Sequence, residues 1–188
     1  MIFLIKMRFL LKKTSNCIVA IRREFYKSES TLKGEMFEEY VRTFLFPKDR
    51  YELLYKTPSF DSSDIIKSLT FPDFHFLCKE TNKKLCVEAK FRSTYNPNYD
   101  VEICKDSQLK RYKDFGSFQS CNVYIILGLG GTCHNPDNLY LVPISKRNTV
   151  RIPKDEISMY RVNKKHVINL SYIKSLELGY SNKELNEN

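Results

Sequence analysis

The sequence predicts an α/β fold in which a mixed sheet is flanked by helices, with a core order of helix, three strands, helix and strand. Three observations support this order. One long segment has helical periodicity, two strand-like segments flank a polar turn, and a later unbroken apolar run is typical of a strand inside a sheet. The 188 residues suffice for one domain with a proper hydrophobic core.

The first predicted element is an amphipathic helix from Thr31 to Phe46. On a helical wheel its apolar residues fill one broad arc, and Glu35 and Glu39 lie in the opposite arc. Glu38 falls at the margin between the arcs, where its carboxylate can lean over the apolar face. Glu38 therefore has two interpretations, a solvated surface charge or a functional carboxylate.

Three strands are predicted next, and the last two form a hairpin. The first strand runs from Tyr51 to Lys56, and a polar loop separates it from the hairpin. The hairpin strands run from Asp73 to Lys79 and from Lys84 to Arg92, and residues 80–83 form a polar turn between them. Strongly apolar residues alternate along both strands, which favours one buried face.

The hairpin brings two carboxylates and a lysine together. With the turn centred in its middle, Asp73 opposes Lys90 and His75 opposes Glu88. Opposed residues share a face of the sheet, so all four side chains should point to one side. A slip of one residue would split the set across both faces, and the apolar alternation argues against it.

A second helix is predicted from Asp106 to Phe115. Asp106 or Ser107 is expected to cap its N-terminus, and Gly116 is expected to end it. Two strands follow, from Asn122 to Leu127 and from Leu139 to Ile144. Pro143 cannot donate a backbone hydrogen bond, so the last strand is predicted to lie at an edge of the sheet.

The remaining sequence is predicted to surround this core. The expected division is an N-terminal extension (residues 1–30), the core (31–145), a short C-terminal extension packed on the core (146–180) and a disordered tail (181–188). The apolar start, Met1 to Leu11, is interrupted by Lys6 and Arg8 and is too short to span a bilayer. It also lacks the pattern of a secretory signal, so we expect a cytoplasmic protein without a membrane anchor.

Charge and cysteine content narrow the class of partner and the environment. The formal net charge is +9, which favours nucleic acid first and an anionic membrane surface second. No basic amphipathic helix is evident that would favour binding to a membrane surface. The six cysteines include no CxxC pair, and we expect reduced thiols rather than a zinc site or disulfides.

Asp73, Glu88 and Lys90 are the parts that metal-assisted phosphodiester hydrolysis needs. Carboxylate oxygens suit Mg²⁺ or Mn²⁺ better than Zn²⁺. A nearby lysine can act on the attacking water or stabilise phosphate charge. The competing interpretation makes Asp73 a turn residue and the other two an exposed pair, but an unpaired charge at Glu88 would be costly in so apolar a strand. His75 shares the face and is more simply explained as a structural histidine.

These motifs, in this order, resemble the PD-(D/E)XK nuclease superfamily, which has the restriction-endonuclease-like fold. The resemblance covers residues 33–127 and lies in Gly34-Glu35-Met36-Phe37-Glu38, Pro72-Asp73 and Glu88-Ala89-Lys90. The first helix is similar to that of archaeal Holliday-junction resolvases, and Gln108 to Tyr112 resembles the QxxxY motif of RecB-type nucleases. The resemblance implies an αβββαβ core with a mixed central sheet.

The resemblance also implies a role for each matched residue. Asp73 and Glu88 would bind Mg²⁺, for which Mn²⁺ would substitute, and Lys90 would act on the attacking water. Glu38 would be a further carboxylate of the catalytic and metal site. Gln108 and Tyr112 would line the nucleic-acid side of the cleft. The implied activity is a metal-dependent deoxyribonuclease that binds DNA, and a homodimer would be compatible with it.

Two further expectations accompany this activity. Arg92 is an extra cation after the Glu-x-Lys pattern, and we expect it to contact a phosphate. The alternative to an enzyme is a catalytically inactive nuclease-fold module that binds nucleic acid or a protein partner. The intact set of Asp73, Glu88 and Lys90 favours the enzyme.

Overall fold

Helices cover both faces of a five-stranded mixed sheet. This computed structural model describes residues 28–57, 71–163 and 167–178. The chain divides into two units, Met1–Lys33 and Gly34–Asn188, and nearly all described residues belong to the second. The disordered tail predicted at 181–188 and most of the predicted N-terminal extension lie outside the described residues. No described helix is long and apolar enough to cross a membrane.

The element order matches the predicted αβββαβ core. The helices are α1 (Glu29–Tyr40), α2 (Asp106–Gln119) and α3 (Leu170–Leu178), and the strands are β1 (Tyr51–Lys56), β2 (Phe74–Cys78), β3 (Lys83–Arg92), β4 (Val101–Glu102), β5 (Asn122–Leu129), β6 (Asn138–Pro143) and β7 (Arg151–Ile152). A π-helical turn (Val41–Leu45) extends α1, and 3₁₀ turns cover Ile144–Lys146 and Ile157–Tyr160.

The main sheet has the strand order β1-β2-β3-β5-β6. Only the β3–β5 pair is parallel, and the other three pairs are antiparallel. Helix α2 lies in the crossover between the two parallel strands. Strand β6, which ends at Pro143, is an edge strand as predicted. β4 and β7 form a separate two-stranded sheet.

The first helix is longer than predicted at its start and changes geometry at its end. The predicted segment becomes α1 plus the π-helical turn Val41–Leu45. Phe37, Val41 and Leu45 are fully buried, but Met36 and Phe44 of the predicted apolar arc are 42% and 62% exposed. A π-helical turn advances less than 100° per residue, so a regular helical wheel misplaces Phe44, whereas Met36 precedes this turn and its exposure has another cause.

The hairpin register differs from the predicted one by two residues. Phe74 opposes Val87 and His75 opposes Cys86, so the predicted pairing of His75 with Glu88 is wrong. The turn is Lys79–Asn82, one residue earlier than expected, with Asn82 at a φ of 55°. Asparagine tolerates this left-handed conformation better than most residues. Because the shift is even, the assignment of side chains to the two faces is correct.

The second helix has caps other than those predicted. Its N-cap is Lys105, and it continues through Gly116 to Gln119, with Ser120 at a φ of 50° as its C-cap. A Cβ atom on Gly116 would lie 2.9 Å from the carbonyl oxygen of Cys121. The glycine is therefore needed because the returning chain packs closely against the helix, and it does not end the helix.

Two cysteines are joined, so the expectation of reduced thiols is wrong for this pair. Cys86 and Cys121 form a disulfide across a Cα separation of 6.5 Å. The parallel pairing of β3 with β5, in which Leu85 is beside Asn122, brings them together. Three other described cysteines are free and buried: Cys78, Cys104 and Cys133.

Candidate active site

Asp73 is held between two strands just before β2 begins. Its Oδ2 accepts a hydrogen bond from the backbone N–H of Ala89 at 2.7 Å. Its own carbonyl oxygen accepts one from the N–H of Thr57 at 2.9 Å. The first bond ties the carboxylate to β3, and the second ties the backbone to the end of β1. The position of this carboxylate therefore depends on the pairing of three strands.

Glu88 and Lys90 form an ion pair on one face of β3. Lys90 Nζ donates a hydrogen bond to Glu88 Oε1. The Glu88 side chain is only 5% exposed and that of Lys90 is 20% exposed. β3 lies in the middle of the sheet, between β2 and β5, so the pair sits inside the protein rather than on a solvated strand. A buried carboxylate needs such a partner, and the interpretation as an ordinary exposed pair does not hold.

Helix α2 supplies a second partner for Glu88. Burial raises the pKa of Tyr112, and its interaction with the Glu88 carboxylate raises it further. Gln108 Nε2 donates to the Tyr112 hydroxyl oxygen at 3.5 Å, and the N–H of Lys105 donates to Gln108 Oε1 at 3.2 Å. Tyr112 is buried, and Glu88 on β3 is one of the groups that act on its hydroxyl. The sequence placed Gln108 and Tyr112 near the site, and their contact with nucleic acid stays a prediction.

The electrostatic environment shows that three carboxylates influence one another. The pKa of Asp73 is raised well above its ordinary value, mainly by burial and then by the charges of Glu88 and Glu38. Lys90 and the Ala89 amide oppose this rise. Burial alone would lower the pKa of Lys90, but Glu88 and Asp73 outweigh burial and raise it. The charges of Glu88 and Glu38 therefore oppose the ionisation of Asp73.

Glu38 reaches this group from the other side of the sheet. Phe37 packs against Phe91, which places α1 on the face opposite Glu88. Burial raises the pKa of Glu38 most, and Glu88 adds to the rise while Lys56 opposes it. Glu38 Oε2 also lies 3.0 Å from Lys56 Nζ, at the end of β1. The charge of Glu38 thus acts on Asp73, and its role in the site stays a prediction.

Sequence reasoning missed Lys56. It ends β1 opposite Phe74, so it lies next to Asp73 across the strand pair. The available signal was a basic residue at the end of a predicted strand, which is too common to single out. The long connection between β1 and β2 hides their register, and only the folded sheet brings Lys56 beside Glu38.

Arg92 and His75, the two other candidates, make contacts outside the group of carboxylates. Arg92 is exposed at the end of β3 and donates to the carbonyl oxygen of Phe91 at 3.1 Å. His75 opposes Cys86, with its ring 5.0 Å from that of Phe115 and 5.5 Å from that of Tyr55. Burial, and to a lesser extent Lys84, lowers the pKa of His75. These ring contacts are those of a histidine packed in an aromatic cluster.

The donor set fits a hard divalent cation. Among the described residues, no group of three or more His, Cys, Asp or Glu side chains is arranged to hold a metal. Mg²⁺ does not require such a group, because proteins commonly bind it through one or two carboxylates together with water and substrate phosphates. Asp73 and Glu88 provide two carboxylates, and their mutual repulsion is of the kind that a cation relieves.

Comparison with known proteins leaves the function to be inferred from the site. No protein-family model matches the chain, and no curated protein matches it. Among solved structures, it is similar to Hjc, a Holliday junction resolvase from the archaeal hyperthermophile Archaeoglobus fulgidus. The two are 13% identical with a TM-score of 0.48, and the match covers 73% of this chain and 99% of the resolvase. A similarity this low assigns no activity.

Proposed function

We propose that this protein is a metal-dependent nuclease that hydrolyses DNA phosphodiester bonds. The observation that carries the proposal is the convergence of Asp73, Glu88 and Lys90 at the paired ends of β2 and β3. Ordered carboxylates, a lysine in contact with one of them and a net charge of +9 suit an anionic phosphodiester substrate. DNA is the partner proposed.

Each residue has a distinct task in this proposal. Asp73 and Glu88 would hold Mg²⁺, which when bound supplies Lewis-acid stabilisation of phosphate charge and a more acidic water. Lys90 would orient the attacking water or the scissile phosphate through its ammonium group. Glu38 would position water at the edge of the site. The Tyr112 hydroxyl would keep Glu88 oriented, as outer hydrogen-bond partners do for metal ligands.

Replacement of Asp73 by Asn tests the proposal. Asn keeps an oxygen that can accept the Ala89 N–H, so the fold should survive while the ligand charge is lost. Loss of an outer-shell partner typically costs 10- to 100-fold, so loss of the ligand itself should lower Mg²⁺-dependent cleavage by more than about 100-fold. Asp155→Asn, at an exposed position, is the matched control. Cleavage by Asp73→Asn at the control rate would refute the assignment.

One observation favours the inactive module as a second candidate. Lys90 already neutralises Glu88, so the buried carboxylate has a partner without any metal. Calorimetric titration with Mn²⁺ separates the two candidates. A nuclease should bind Mn²⁺ with an affinity that falls in Asp73→Asn and in Glu88→Gln. A module without catalysis should show no binding that depends on these residues. A panel of linear, nicked, single-stranded and four-way DNA substrates would then define the specificity.

A further inference from the structure

Lys56 is a basic side chain at the edge of the candidate site to which no role has been assigned. Its Nζ atom lies 3.0 Å from Glu38 Oε2. Its backbone position is fixed by pairing with Phe74, and the next residue, Thr57, donates a hydrogen bond to the Asp73 carbonyl oxygen. Lys56 therefore immediately precedes the residue that is hydrogen-bonded to the backbone of Asp73.

Lys56 is more accessible than the lysine of the Glu-x-Lys pattern. Its side chain is 38% exposed, whereas that of Lys90 is 20% exposed. The ammonium group of Lys90 donates a hydrogen bond to the buried Glu88 carboxylate. The ammonium of Lys56 lies over the buried Phe74 ring, 5.4 Å from its centre. The face of an aromatic ring attracts a cation, so this contact stabilises the ammonium group in its position. A ligand that approaches from solvent can reach Lys56.

The charges at the site indicate what that ligand would need. Three carboxylates (Glu38, Asp73 and Glu88) interact with one another, and two ammonium groups pair with two of them. An approaching phosphodiester is repelled by ionised carboxylates and attracted by an accessible cation. The pair between Lys56 and Glu38 is partly exposed, so it is screened by solvent and easily exchanged for another anion.

We propose that Lys56 is a nucleic-acid-binding residue that exchanges partners on binding. In the free protein its ammonium pairs with Glu38. In the complex it contacts a backbone phosphate of the bound strand, and Glu38 becomes available to position water. The inference rests on the proposed function in one respect, namely that DNA is the substrate. It does not depend on cleavage activity.

The salt dependence of binding tests the phosphate contact directly. Binding of a labelled DNA duplex would be measured by fluorescence anisotropy in EDTA at a series of salt concentrations. Each phosphate contact contributes about 0.9 to the slope of log K against log salt, so Lys56→Gln should reduce the slope by about 1. Lys56→Arg should keep the wild-type slope. Lys84→Gln removes the same charge from an exposed position at the far end of β3 and should leave the slope unchanged.

Removal of the competing carboxylate should have the opposite effect. Glu38→Gln frees Lys56 for phosphate, so it should bind DNA more tightly than the wild type. Glu39→Gln is the matched control, because it removes one negative charge from the next residue and also releases an ion-pair partner, Arg42. The gain from Glu38→Gln should disappear in the Lys56→Gln background, because the two residues share one interaction.

The outcomes separate this inference from the proposed function. Equal slopes for Lys56→Gln and Lys84→Gln, or equal gains for Glu38→Gln and Glu39→Gln, would overturn the role of Lys56 while DNA binding by the wild type stands. A wild-type protein that binds no DNA would overturn the proposed function and this inference with it. Reduced Lys56→Gln binding without a change of slope would show a structural effect only and would also overturn the phosphate contact.

Discussion

Replacement of Lys90 by Met tests whether the ion pair on β3 holds a buried charge. The Glu88 side chain is 5% exposed, so the variant leaves an almost fully buried carboxylate without its ammonium. Loss of one partner of a buried pair typically costs 3–5 kcal/mol. The Tyr112 hydroxyl still interacts with Glu88, and Lys90 itself is partly exposed. We therefore expect the low end, about 3 kcal/mol of unfolding free energy.

The assay is urea unfolding followed by circular dichroism in EDTA, with thermal unfolding in parallel. For a chain of this size, about 3 kcal/mol corresponds to a fall in Tm of roughly 6–12 °C. The double variant Glu88→Gln/Lys90→Met removes both charges and should be about 1–2 kcal/mol more stable than Lys90→Met alone. A single variant within about 1 kcal/mol of wild type, or a double variant less stable than the single one, would refute the reasoning. Because Lys90→Met is expected to be less stable, a loss of cleavage in a Lys90 variant should be interpreted only together with the measured stability of that variant.

Two further predictions concern packing and the site. Gly128→Ala should destabilise the protein by about 1–3 kcal/mol in thermal or urea unfolding, because its Cβ would lie 2.7 Å from a ring carbon of the fully buried Phe37. Gly34→Ala is the contrasting variant, because it lies in a helix with no described atom within 4 Å of the new Cβ. It should stabilise the protein by about 0.5–1 kcal/mol. Tyr112→Phe removes the hydroxyl that interacts with Glu88 and should raise the Mg²⁺ concentration for half-maximal cleavage about tenfold at unchanged DNA affinity. Weaker DNA binding with unchanged Mg²⁺ dependence would identify Tyr112 as a nucleic-acid contact instead.

The parts of the fold that local sequence patterns determine could be predicted. The αβββαβ order follows from periodicity within single segments, and so does the assignment of Asp73, Glu88 and Lys90 to one face. Alternation along a strand has a period of two, so it identifies the face even when the register is wrong. The position of Glu38 at the margin of its helix was likewise a local property.

The rest depends on contacts between distant segments. The disulfide between Cys86 and Cys121 needs the parallel pairing of β3 with β5, and no spacing rule predicts that pairing. Lys56 meets Glu38 only when β1 is placed beside β2. The Tyr112 hydroxyl reaches Glu88 only when α2 lies on the correct face of the sheet. None of these placements changes the periodicity from which the elements were predicted.

The hydrogen bond from Ala89 to Asp73 has a consequence for how the hairpin reaches a single native state. A hairpin slipped by two residues keeps every apolar side chain on its proper face, so burial alone discriminates poorly between the two registers. The slip would carry the Ala89 N–H away from Asp73 Oδ2 and would move the turn away from Asn82, which tolerates its left-handed conformation. Asp73 thus also favours the native register of the hairpin over the slipped one. Under the proposed function, Asp73 would therefore contribute to folding fidelity and to catalysis together.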